Sequence, residues 1–237
     1  PMEIEATLAP FRFVQTDPYL WARQMKTARQ TKVMGFLFPD IPEEMLHAFG
    51  LLPVAMPGTV NTVKYAYIYL PNFSCPFNVS PLEVALQGTL DFLDGLIIPY
   101  SCDAMRAFSH VWEANFPNHL SHTLWLPKKI DGVGSRAFFR QELLRMKEAL
   151  IDFTGVCISD EDLFDSIKVF NRNRSLLKSL HQQQSASPPA LSNEDFMSVV
   201  SAATHMPKET HIDRLEKLLV ALSERQLEKS AARPELI

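Results

Sequence analysis

Apolar residues follow two spacings along the chain, and the change falls near residue 130. In the first half, short apolar runs alternate with amphipathic stretches, punctuated by proline and glycine. Residues 17–31 read as a helix, with Asp17 as N-cap, Pro18 at the first helical position and Leu20, Trp21 and Met25 along one side. KVMGFLF (32–38) is a buried-strand candidate. Asp40-Ile-Pro-Glu then opens a helix over 41–49 that Gly50 ends. LLPVAM (51–56) is the next strand candidate, weakened by Pro53. YAYIYL (65–70) is strongly β-prone and is closed by Pro71-Asn72. Residues 82–93 have helical spacing, 96–98 form a short apolar strand, 103–115 a helix and 120–126 a further strand. Strands alternating with helices predict an α/β fold, an open, mostly parallel sheet flanked by helices.

The second half reads as helices over 135–153, 160–183, 193–204 and 208–229, with a polar, proline-containing connection at 182–192. Arg233-Pro-Glu-Leu-Ile reads as the start of a strand. The expected division is an α/β lobe over 1–130 and a mostly helical extension over 131–237. No repeat at a solenoid period is present.

Composition narrows the class. Hydrophobic content of 46% and charged content of 21% are ordinary for a globular protein. The net charge of −4, without a run of Lys and Arg, argues against a nucleic-acid partner. Apolar runs are too short to span a bilayer, and PMEIEATLAPF lacks the pattern of a signal peptide, so a cytoplasmic location is expected. In that compartment three cysteines are thiols, metal ligands or nucleophiles rather than disulfide staples.

Nucleotide and zinc signatures are absent: there is no G-x-G-x-x-G, no P-loop and no H-E-x-x-H. Seven histidines are scattered, and His119 and His122 read as solvated positions at a strand edge. Cys75 (NFSCPFN) follows the YAYIYL run, whereas Cys102 (PYSCD) follows the LIIP run and precedes a helix. Loops after strand carboxyl ends gather in one crevice of an open α/β sheet, so the two cysteines are candidates to meet there. Cys102 would also face a helix N-terminus, which favours thiolate. Spacing leaves two readings open, a shared metal or cluster site and buried thiols that pack like small hydrophobes. Cys157 reads as core packing. Glu43 and Glu44 open a helix beside the crevice; helix capping by Asp40 with Glu43 and dipole complementarity explain them, with a place near a substrate as the alternative. Asp103 is a first-turn acid with Arg106 one turn on, and Arg172 and Arg174 fit a solvated or interhelical face.

VMGFLFPDIPEEMLHAFGLLPVAMPG (33–58) resembles the opening of the 2-hydroxyacyl-CoA dehydratase and benzoyl-CoA reductase family. So do SCPFNVSPLEVALQGTLDFLDGLIIPYSCDAMRAF (74–108), LPKKIDGVGSRAFFRQELLRMKEALIDFTG (126–155) and FNRNRSLL (170–177), which extends the resemblance over nearly the whole chain. It implies Rossmann-like lobes and a [4Fe-4S] cluster held by three cysteines, with Cys75 and Cys102 as the first two and the third on a second lobe. It implies radical chemistry on an acyl-CoA thioester, in which an ATP-hydrolysing activator donates one electron to a heterodimer with a homologous second subunit. A ketyl radical anion at the thioester carbonyl then permits dehydration or ring reduction, and an oxygen-sensitive cluster implies anaerobic metabolism. By the same resemblance the isolated lobe would hold an incomplete, empty site. After Gly35-Phe36 many members carry small polar residues, whereas this chain has Leu37-Phe38-Pro39-Asp40, pointing to a structural or electron-relay subunit. The competing class is a non-catalytic partner or scaffold lobe with structural cysteines and no cluster.

Overall fold

The computed structural model describes residues 2–38, 40–58, 61–117, 119–186 and 189–231. Pro39 and the 233–237 strand candidate lie outside the described residues. Backbone contacts group the chain into two compact units, Ala22–Ser166 and Pro1–Trp21 with Ile167–Ile237.

The first unit is built on β1 (Val33–Phe36), β2 (Leu52–Ala55), β3 (Gly95–Tyr100) and β4 (Leu120–Trp125). They form one sheet in the order β2-β1-β3-β4, and every pairing is parallel. β1 and β3 are buried along their whole length, as parallel strands covered on both faces must be. Pro53 fits because β2 is an edge strand, and Pro99 because β1 ends opposite Ile97, leaving β3 only β4 as neighbour there. Four helices connect or follow the strands: α3 (Glu43–Ala48), α4 (Pro76–Leu86), α5 (Asp103–Asn115) and α6 (Ser135–Thr154).

Met34, Phe36, Ile97 and Leu124 project from one sheet face into a core completed by Leu46 of α3 and Met146 and Leu150 of α6. The alternate positions Gly35 and Leu96 serve the other face. A Cβ at Gly35 would come within 2.8 Å of the Met56 sulfur and 3.0 Å of Leu93 Cδ1, so any larger residue here makes those side chains shift. α5 packs on β3 and β4, and α4 packs against α5.

Two further helices precede and three follow in chain order: α1 (Met2–Thr16), α2 (Pro18–Arg29), α7 (Asp160–Gln184), α8 (Asn193–Ala202) and α9 (Lys208–Ala231). α2 and α7 each contribute residues to both units. Asp17 caps α2 as its sequence predicts, Oδ1 accepting from the Leu20 N–H at 2.8 Å. α1 is an element without a counterpart among the helices expected from spacing. Its buried Ile4, Leu8, Phe11 and Val14 have helical spacing, with Pro10 interrupting the pattern. It packs on α8 and α9, whereas α6 packs on β4. The compact units therefore divide differently from a boundary at residue 130, because buried faces rather than chain order decide which helices belong together. No helix among the described residues is long and apolar enough to cross a membrane.

In the helical unit His211 is fully buried, with Nδ1 2.7 Å from the Asn173 side-chain oxygen and Nε2 2.9 Å from the Val199 carbonyl. A neutral ring satisfies both sites if Nε2–H donates to Val199 and Nδ1 accepts from the Asn173 amide, turned to present its NH2. Burial, and then the nearby Lys208 ammonium, push the His211 pKa down to about 4 from 6.5, outweighing the bond to Val199. Arg172 reaches Glu216 across α7 and α9 at 2.7 Å while staying exposed, so both placements considered for it, solvated and interhelical, apply. FNRNRSLL thus carries a buried polar contact at Asn173 and an exposed ion pair at Arg172.

The unfolded chain binds a proton at His211 more readily than the folded chain. Stability from this site is complete above about pH 6.5 and falls as the pH drops towards 4, by roughly 3 kcal/mol at the low end. Urea melts from pH 7 to 4 should show this loss, and His211→Gln should flatten it.

Candidate functional site

Parallel strands fix where each connecting helix begins. A helix that carries the chain from one strand to the start of the next parallel strand must begin at the carboxyl edge of the sheet. α3 follows β1, α4 precedes β3, and α5 joins β3 to β4. The strand order also reverses direction at β1: the chain goes from β1 out to β2, then crosses back to β3. The crevice at such a switch point is where open α/β sheets bind ligands.

Cys75 and Cys102 are the N-cap residues of α4 and α5. Each supplies its carbonyl to the first turn, Cys75 to the Asn78 N–H at 2.9 Å and Cys102 to the Met105 N–H at 3.1 Å. Neither side chain caps its helix, and both residues are exposed. The positive end of a helix dipole favours negative charge at both positions. Exposure removes the reading of these two as buried packing thiols. Cys157 is exposed too, between α6 and α7, which corrects its expected place in the core; Ile158 is the buried residue there.

YAYIYL does not form a strand. Its centre is a short 3-10 helix, Ala66–Ile68, with Tyr65, Tyr67, Ile68 and Tyr69 exposed and Ala66 and Leu70 buried. The reason is Glu83 of α4, fully buried, whose carboxylate accepts the N–H groups of Tyr65 at 2.8 Å and Ala66 at 2.9 Å. Gln87 donates to the other carboxylate oxygen at 2.8 Å. Burial raises the Glu83 pKa, but the backbone N–H bonds and Gln87 more than offset it, so the carboxyl lies below its ordinary value. Side-chain capping wins over β-propensity, which depends on a neighbouring strand that is absent here. α4 accordingly starts at Pro76 rather than after Pro81, with Pro76 at its first position. Glu83 is the site residue that spacing alone misses; its signal is a single carboxylate inside the apolar run LEVAL.

Glu43 and Glu44 lie in the first turn of α3, half-buried. The Asp40 cap does not form: Pro42 is the N-cap residue, without a side-chain cap, because a tight turn at Ile41–Pro42 starts the helix later. Ser166 Oγ donates to the Glu44 carbonyl at 2.7 Å and lies 2.9 Å from His47 Nδ1. Asp103 accepts from the Tyr100 hydroxyl at 3.1 Å, which raises the Tyr100 pKa, while Arg106 is exposed on α5. His119 and His122 are half-buried rather than solvated. His119 stacks on Phe116, and burial lowers the His122 pKa against the pull of Glu142 on α6. Among the described residues no group of three or more His, Cys, Asp or Glu is placed to hold a metal.

The fold is thus a parallel α/β lobe with two exposed cysteines at helix starts. Residues 40–236 match the family model of the 2-hydroxyglutaryl-CoA dehydratase D-component, and the chain belongs to that family. A benzoyl-CoA reductase polypeptide of Thauera aromatica is 30% identical over 84% of this chain and 53% of its own length. The beta subunit of (R)-2-hydroxyglutaryl-CoA dehydratase from Acidaminococcus fermentans is 27% identical over 92% of this chain and 58% of its own. The beta subunit of lactoyl-CoA dehydratase from Anaerotignum propionicum is 26% identical over the same shares, 92% and 58%. The chain thus spans about half the length of these curated relatives.

Glu83→Leu removes both acceptor oxygens from the Tyr65 and Ala66 N–H groups and from the Gln87 amide. It should destabilise the chain by about 1–3 kcal/mol and accelerate hydrogen exchange at Tyr65 and Ala66. Unchanged exchange there would remove Glu83 as the organiser of the turn before Cys75.

Proposed function

We propose that this chain is part of a subunit of an oxygen-sensitive 2-hydroxyacyl-CoA dehydratase or benzoyl-CoA reductase, in which Cys75 and Cys102 supply two ligands of a [4Fe-4S] cluster. The observation that carries this reading is the pair of exposed cysteines at the starts of α4 and α5 in a chain of this family. Thiolates are the ligands such a cluster takes. Surface exposure suits a group completed by another lobe, the proposed source of the third cysteine. When bound, the cluster supplies an electron at low potential and an iron with an open position that acts as a Lewis acid on a substrate oxygen.

The chain's own residues then have distinct tasks. The helix starts present free backbone N–H groups beside Cys75 and Cys102. Glu83 fixes the turn that leads into Cys75. Glu43 and Glu44, beside the switch point, are proposed to face the acyl group and to hold or move a proton at their carboxylates. The apolar Leu37-Phe38 segment excludes water rather than hydrogen-bonding the thioester. The substrate class is a CoA thioester, as the names of the relatives state for those proteins. The proposed partners are a homologous second subunit, forming a heterodimer, and an ATP-dependent electron-donating activator, in an anaerobic cytoplasm.

The test is anaerobic reconstitution of the full-length, partnered protein with iron and sulfide. Broad visible absorbance should appear, and Cys75→Ser and Cys102→Ser should each lose most of it together with acyl-CoA turnover. Absorbance that survives both substitutions would sink the cluster assignment and leave the scaffold reading in its place.

A further inference from the structure

A cleft of about 470 Å³ opens at the carboxyl ends of β3 and β4, within the range of small-molecule sites. Tyr100 closes β3, Trp125 closes β4, and the loop from Leu126 to Gly134 leads into α6, whose Phe138 forms the far wall. Tyr100 and Trp125 pack with ring centroids 4.2 Å apart at 41°. Trp125 and Phe138 nevertheless remain 39% and 45% exposed, so a flat apolar surface stays open to a ligand.

The residues lining this cleft carry charge of one sign, with the Asp103 carboxylate next to it held by the Tyr100 hydroxyl at 3.1 Å. Lys128 and Lys129 line it, and no carboxylate does among the described residues. Glu142, one turn beyond Phe138 on α6, is engaged by Arg145 at 2.9 Å and by the Trp125 N–H. Lys128 Nζ is held 4.7 Å above the Tyr100 ring and 3.2 Å from the Ser101 carbonyl. The loop is braced as well, Ser135 Oγ donating to the Lys129 carbonyl and the Ser135 N–H to Gly132 at 3.1 Å. The Lys128 ammonium over the Tyr100 ring, the second lysine in the cleft lining and the half-exposed Trp125 ring match a purine carrying phosphates.

We propose that this cleft binds the phosphorylated adenosine end of a CoA thioester, with Lys128 and Lys129 on the phosphates and the Tyr100–Trp125 pair against the purine. The proposal rests on the acyl-CoA reading above and adds where the non-reacting end of the substrate is held. Ser101, whose carbonyl Lys128 contacts, adjoins Cys102, so a nucleotide seated on the lysines lies beside the loop that carries the cysteine. Binding energy from that remote end positions the thioester.

The experiment is calorimetric titration of the full chain with CoA, 3′-dephospho-CoA, ADP and pantetheine. CoA should bind at least about tenfold more tightly than pantetheine, and the paired change Lys128→Gln with Lys129→Gln should remove that advantage. Trp125→Ala should weaken CoA and leave pantetheine unchanged. Three results would overturn the proposal: no CoA binding to the wild type, CoA binding untouched in the double variant, or ADP binding as tightly as CoA, which marks a free-nucleotide site. No cluster is needed for these titrations. Lysine-dependent CoA binding without a cysteine-dependent cluster would remove only the cluster reading, and an intact cluster without CoA binding only the cleft.

Discussion

Parallel hydrogen bonding of β1 to both β2 and β3 is the constraint from which the rest of the lobe follows. Once the strands run the same way, each must be followed by a segment that returns to the opposite edge, and that segment must start where the strand ends. Helix starts, with their unsatisfied N–H groups and positive dipole ends, are thereby collected on one edge. Glu43, Cys75, Cys102 and the lysine loop before α6 are far apart in the chain, yet each sits at or next to such a start. At Gly35 the missing side chain leaves room for Met56, Leu93 and Leu96 against β1.

The two cysteines reach their positions by different routes. Cys102 needs little beyond β3 and α5, because the strand ends at Tyr100 and the helix begins at Asp103. Cys75 lies twenty residues beyond the end of β2, in a stretch without a strand. Its position depends on a buried carboxylate, Glu83, folding the chain back onto α4 through two backbone N–H bonds. A buried charge of this kind is tolerated because each oxygen is satisfied, and removing a partner would cost more than the bond itself contributes. In the helical unit Asn173 and His211 provide the corresponding polar contact, with the imidazole kept neutral.

Much of this was legible in the chain itself. The spacing of apolar residues located β1, β2, β3, β4 and the helices α5 to α9 to within a few residues, since their periodicity is strong and their caps are local. YAYIYL misled because alternation and β-propensity describe a surface awaiting a neighbour, and the nearest partner for its N–H groups is a side chain seventeen positions away. α1 was hidden by Pro10, although its buried residues keep helical spacing. Cys157 was assigned by residue type, which says where cysteines usually go but not which side of a loop faces water.

Sequence alone determined the class of fold and the family and singled out two cysteines as candidates, because local periodicity and ordered motifs survive without knowledge of distant contacts. It left open whether those cysteines were buried or exposed, which helices share a core, and what organises the approach to Cys75. Tertiary structure decided these, through burial of Glu83, coverage of both sheet faces and exposure of the helix starts. The lysine cleft is of the same kind. Lys128 and Lys129 are inconspicuous in the sequence, and only the ends of β3 and β4 bring them into one cleft with an aromatic pair drawn from two different strands, Lys128 lying over the Tyr100 ring.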